Sequence, residues 1–118
     1  MPVRLLRTAE GPLLVPSLVL GEVGYLLQPR VGPQAEVTFL QSFGGNGFYV
    51  AELEDYDIVR TAELVDTYLD LPLGIVDAAV IAIAERLKLT EVATVDHRHF
   101  TVVRPHHVRS FALLPAAG

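Results

Sequence analysis

A chain of 118 residues, 51% hydrophobic and 19% charged, is long enough to bury one core and is richer in apolar side chains than an average soluble domain. It has no cysteine, which excludes a disulfide scaffold, thiolate-held zinc and thiol catalysis, and no apolar run reaches the roughly 18 residues of a membrane span. The net charge of −5 argues against strong non-specific binding to nucleic acid, but the acids stop at Asp96, and Arg98, Arg104, Arg109 and all four histidines follow it. The first twelve residues carry two arginines and no uninterrupted apolar stretch, so no secretory signal is expected; with the lack of cysteine this fits a cytoplasmic protein.

In chain order, residues 3–9 fit the end of a short helix, which Gly11-Pro12 breaks. Leu13, Leu14 and Val15 read as a short strand closed by Pro16. Ser17 is a candidate N-cap for a helix whose apolar side is Leu18, Val19, Val23, Leu26 and Leu27, ended by Pro29 and Gly32-Pro33. Glu22 lies inside it, and Gly21 and Gly24 nearby would let a backbone or a ligand approach closely. Residues 34–43 read as a second short helix, 44–47 as a turn and 48–53 as a strand. The next helix opens with Glu54, Asp55 and Asp57, read as charge favourable to the helix dipole, and spaces Ile58, Ala62, Val65 and Leu69 as its apolar stripe.

Residues 77–87 read as a helix apolar almost all round, which must be covered on most sides. Lys88 and Thr90 mark its exit. Residues 91–95 lack strict alternation and read as a central parallel strand, with FTVV and SFALL beyond as edge strands. Tyr25, Phe39, Phe43 and Phe48 read as core or dimer packing rather than a base-stacking platform. No linker divides the chain, so residues 1–118 are expected to form a single domain with a parallel sheet layered by helices.

Asp77 falls in the first turn of the buried helix and Asp96 at the end of the following strand. In an open parallel α/β sheet, helix N-termini and strand C-termini share one edge, where ligands bind. The two acids are therefore expected to meet, and paired carboxylates suit a hard divalent cation. His97 and His99 have a spacing compatible with zinc, but the sequence places no third ligand. A phosphoacceptor domain would pair its acids with a strand-end lysine, whereas the one lysine, Lys88, stands at a helix exit.

The runs LPLGIVDA, AERL and ATVDHRHF resemble the second half of a PIN domain, closest to the toxin subunits of VapBC-type toxin–antitoxin pairs, and PLLVPSLVLGEVGYLL resembles that family's glutamate-bearing segment. The resemblance covers roughly residues 5–114. It implies a three-layer α/β fold and a divalent-metal-dependent endoribonuclease in which Glu22, Asp77 and Asp96 hold Mg²⁺ or Mn²⁺ and serve catalysis. Asp70 would support that site or the fold, and Arg98 would touch the RNA backbone. It also implies a cognate antitoxin partner, a homodimer and no membrane association. The sequence departs from the family at its start: no aspartate precedes Asp55, so the family's first strand and its acid are expected to be missing, the chain N-terminally incomplete and a sheet edge exposed. Weak or absent cleavage, self-association and low stability would follow. The alternative is an impaired PIN-fold remnant that binds an antitoxin or its own copy.

Overall fold

The computed structural model describes residues 4–8, 11–44, 47–94 and 98–114, with the side chain of Leu26 excepted. The chain forms β1 (Leu5–Arg7), β2 (Leu13–Pro16), a 3-10 turn (Ser17–Val19), α1 (Leu20–Val31), α2 (Pro33–Gln41) and β3 (Phe48–Ala51). It continues as α3 (Asp55–Thr67), α4 (Gly74–Leu87), β4 (Glu91–Ala93), α5 (Arg98–Val102) and β5 (Ala112–Leu114). The five strands lie in the order β3-β2-β1-β4-β5. β2 pairs in parallel with β3, and β4 with β5, while β1 runs antiparallel to both its neighbours. This is the helix-flanked, mostly parallel α/β sheet expected from the sequence, with one reversed strand at its centre.

That strand corrects two expectations. Residues 5–7 are not helical, and the sheet has no vacancy between β2 and β4. Among the described residues the place between β2 and β4 is filled by the antiparallel β1, through a tight reversal into β2. In that reversal the Thr8 N–H donates to the Pro12 carbonyl and the Gly11 N–H to the Thr8 carbonyl, with Gly11 at φ 113°. Leu6, fully buried, faces Leu14 on one side and Val92 on the other. The backbone groups of β2 and β4 that an empty slot would have orphaned thus have partners. Self-association and low stability therefore do not follow from an open slot.

The helices differ from expectation mostly at their ends. Pro29 does not stop α1, which runs on to Val31. Gly32, at φ 110°, ends it, and Pro33 then starts α2 where a missing N–H costs nothing. Ser17 makes no capping hydrogen bond; the 3-10 turn leads straight into α1. In α3 the buried positions are Asp57, Thr61 and Leu64, while Ile58 and Leu69 of the expected stripe are exposed. FTVV is not a strand: its residues 100–102 belong to α5, with Phe100 in the core. SFALL does supply an edge strand, β5. Of the four aromatics grouped together, Phe39 packs edge to face on Phe43 and on Phe48, which lie tilted against each other, whereas Tyr25 is exposed.

α4 behaves as its composition demands. Eight consecutive residues, Asp77 to Ala84, are buried, and the helix packs extensively on α3. Its small alanines allow that approach, and Val80, Ile81 and Ile83 fill the core with Leu6, Val15 and Val92 of the sheet. The helix ends on Lys88 in the left-handed conformation, with the Leu89 N–H reaching back to the Ala84 carbonyl.

Candidate active site

The reversed strand decides what reaches the functional edge. β2, β3, β4 and β5 point the same way, so their C-terminal ends share an edge, and β1 brings its N-terminal end there instead. Pairing of Leu6 with Leu14, and of Leu5 with Ala93, sets Arg4 beside Pro16 and Thr94, at the ends of β2 and β4. The helices after this edge contribute the acids. Glu22 stands in the first turn of α1 and Asp77 in the first turn of α4.

Glu22 and Asp77 meet at this edge through a cation from the chain itself, whereas the expected meeting of Asp77 with Asp96 falls on a residue outside the described ones. The Nη1 of Arg4 donates to Glu22 Oε1 at 3.0 Å and to Oε2 at 3.2 Å, and its Nε donates to Asp77 Oδ1. Asp77 Oδ2 contacts His99 Nδ1 of α5 at 2.5 Å. The side chains of Arg4, Glu22 and Asp77 are 11%, 9% and 7% exposed, so water screens this cluster little. Of the glycines flanking Glu22, Gly24 has a close neighbour: a Cβ there would stand 2.9 Å from the Glu36 carboxylate of α2. Gly21 has nothing within 4 Å. The close approach expected near Glu22 is therefore one of helix to helix.

The remaining residues singled out in the sequence are placed as follows. Asp96 and His97 lie outside the described residues. Thr94, two positions before Asp96, is buried, and its N–H donates to the Leu114 carbonyl. Asp70 is exposed in the turn between α3 and α4, and Arg98 is exposed at the start of α5. Among the described residues, no three His, Asp or Glu side chains form a group able to hold a metal ion. Sequence reasoning missed Arg4 and the His99 contact. Arg4 lay in a segment read as helical, and nothing local to it marks a site.

A second buried ionic network joins α3 to α4. Asp57, fully buried, accepts from Arg86 Nε at 2.9 Å and from the Glu54 N–H at 2.9 Å. It is thus an anchor between helices as well as N-terminal charge. Arg60 grips both oxygens of Glu85, at 2.7 and 2.9 Å, and the His106 N–H donates to Glu85 Oε2. Burial alone would raise the Glu85 carboxyl; the hydrogen bonds from Arg60 and His106 outweigh it and hold the group below its usual value. The same contacts push Arg60 and Arg86 upward, through hydrogen bonds to Glu85 and Asp57.

One side of α3 exposes apolar residues. Ile58, Val65 and Leu69, with Leu18, Leu53 and Ile75, line a groove of about 590 Å³. No helix among the described residues is long and apolar enough to cross a membrane.

Residues 2–104 match a family model described as the PIN domain. The chain is also 34% identical over 108 residues to Ribonuclease VapC26 of Mycobacterium tuberculosis (strain ATCC 25618 / H37Rv), covering 92% of this chain and 80% of that protein.

Proposed function

Since the chain belongs to the PIN-domain family, we propose that it is a divalent-metal-dependent endoribonuclease acting as the toxin of a type II toxin–antitoxin pair in the cytoplasm. One observation carries this reading. Glu22 and Asp77, far apart in sequence, converge almost buried at the shared sheet edge with a positive group between them. Two such carboxylates repel each other unless a cation lies close by. The donor set fits a hard ion, for it is all carboxylate oxygen and already accommodates the charge of a guanidinium.

Glu22 and Asp77 would hold Mg²⁺ or Mn²⁺, with Asp96 completing the set. When bound, such an ion would supply Lewis acidity toward a phosphodiester and make a water more acidic. The protein's part is placement. The first turns of α1 and α4 fix the carboxylates, and the packed length of α4 keeps Asp77 from moving. The His99 contact orients the Asp77 carboxylate. Arg98 and the basic residues after Asp96 would meet the RNA backbone, and Asp70 would support the site from the α3–α4 turn. The groove along α3 favours a protein partner on that face, whether an antitoxin or a second copy.

The test is cleavage of a mixed RNA pool in Mg²⁺ or Mn²⁺ by the wild type, E22Q and D77N. Cleavage that needs the ion and both carboxylates supports the proposal. Cleavage that persists in chelator, or in D77N, overturns it. One observation favours the alternative, a PIN-fold module that binds without cutting: the cation between the acids is Arg4. Ion-independent binding to an antitoxin without any cleavage would decide for it.

A further inference from the structure

All four carboxylate oxygens of Glu22 and Asp77 are engaged: three by Arg4 and the fourth by His99. A divalent ion that takes these acids as ligands must compete for the same lone pairs. We propose that Arg4 is an autoinhibitory latch, a built-in counter-ion that closes the acidic site and has to withdraw before a divalent cation can enter. This rests on the reading of Glu22 and Asp77 as metal ligands.

Three features make the latch displaceable as well as tight. The guanidinium forms charge-assisted hydrogen bonds with both acids in a poorly hydrated place, so it holds firmly in the absence of another cation. Arg4 also lies one residue outside β1, whose ladders begin at Leu5. The strand is anchored separately, by buried Leu6 and by an Arg7–Glu91 ion pair at 2.8 Å. The long side chain of Arg4 can therefore swing out by changing rotamers while the central strand stays paired. Arg4 also reaches this edge because β1 is reversed. A parallel strand would have sent its first residue to the opposite edge of the sheet.

The latch predicts an inverse relation between the grip of Arg4 and metal affinity. Mn²⁺ binding to the full chain, followed by loss of the free ion's electron paramagnetic resonance signal, should be at least about tenfold tighter in R4Q than in wild type. R4K, which keeps the charge but not the two-sided grip, should lie between them. Equal affinity in wild type and R4Q overturns the latch and leaves the metal site standing. Failure of both to bind Mn²⁺, or binding by R4Q that survives D77N, overturns the metal site and the latch with it. If R4Q does not fold, the wild type alone suffices. Its Arg4 Nε proton, followed by nitrogen-15 NMR, should lose protection from exchange in step with Mg²⁺ saturation. An unchanged Arg4 signal at saturating Mg²⁺ overturns the proposal.

Discussion

Two parts of this molecule bury carboxylates against arginines, and they are balanced differently. Between α3 and α4, Asp57 has Arg86 and Glu85 has Arg60, each acid with its own guanidinium and a backbone N–H besides. At the sheet edge Arg4 serves both Glu22 and Asp77, and His99 also contacts Asp77. Both arrangements satisfy the lone pairs. The first is complete and neutral and leaves a further ion nothing to gain. In the second, two carboxylates share one guanidinium among the described residues, and that guanidinium comes from a residue just outside a short strand. Complete pairing suits a structural joint, whereas an exchangeable partner suits a site that admits a cation.

Substitutions should separate the two clearly. The largest effect expected is on activity. D77N and E22Q should each lower RNA cleavage by more than about a hundredfold, beyond what loss of a group supporting a metal ligand typically costs, as read from initial rates at saturating Mn²⁺. Neither should cost more than about 1 kcal/mol of stability in urea unfolding, because each leaves Arg4 with one carboxylate partner. D57A should do the opposite: it should cost about 3 kcal/mol, by leaving Arg86 with only the Glu52 carbonyl and the Glu54 N–H without its cap. A D57A protein as stable as wild type would erase the proposed contrast.

The smallest effect concerns pH. Glu85 has a lowered folded-state pKa, so its contribution is fully present above the ordinary carboxylate range and is lost as pH falls through the folded value. The cost of burying the Glu85 carboxylate offsets part of that contribution. E85Q should therefore flatten the acid limb of the stability profile below about pH 4.5 and narrow its gap from wild type there. Thermal melts of both proteins between neutral and acid pH read this directly.

How much of this was legible in the sequence depends on whether the controlling physics was local. α4 was readable because an almost wholly apolar run can only be a covered helix, and Asp77 came with it. That Asp77 stands at the site-bearing edge followed from the rule that helix starts and strand ends share one side of a parallel sheet, whereas Glu22 came only with the resemblance to the family. β1 was not readable. Three residues that alternate weakly can be helix or strand, and pairing with β2 and β4, distant in sequence for β4, decides between them. With β1 unseen, Arg4 could not be brought to the site. In α3 the stripe Ile58, Ala62, Val65, Leu69 had helical spacing, but ion pairing of Asp57 and Arg60 to α4 turned another face inward. Periodicity alone cannot weigh a buried salt bridge against an apolar stripe whose Ile58 and Leu69 stay exposed.

The most direct measurement is a crystal structure of the wild-type chain soaked in Mn²⁺, with the ion located by its anomalous signal. The expected result is a manganese peak bound by oxygens of Glu22 and Asp77, with the Arg4 guanidinium moved away from both. A manganese peak elsewhere, or no peak at the edge with Arg4 still bridging the two acids at saturating Mn²⁺, would contradict the reading of this edge as a latched metal site.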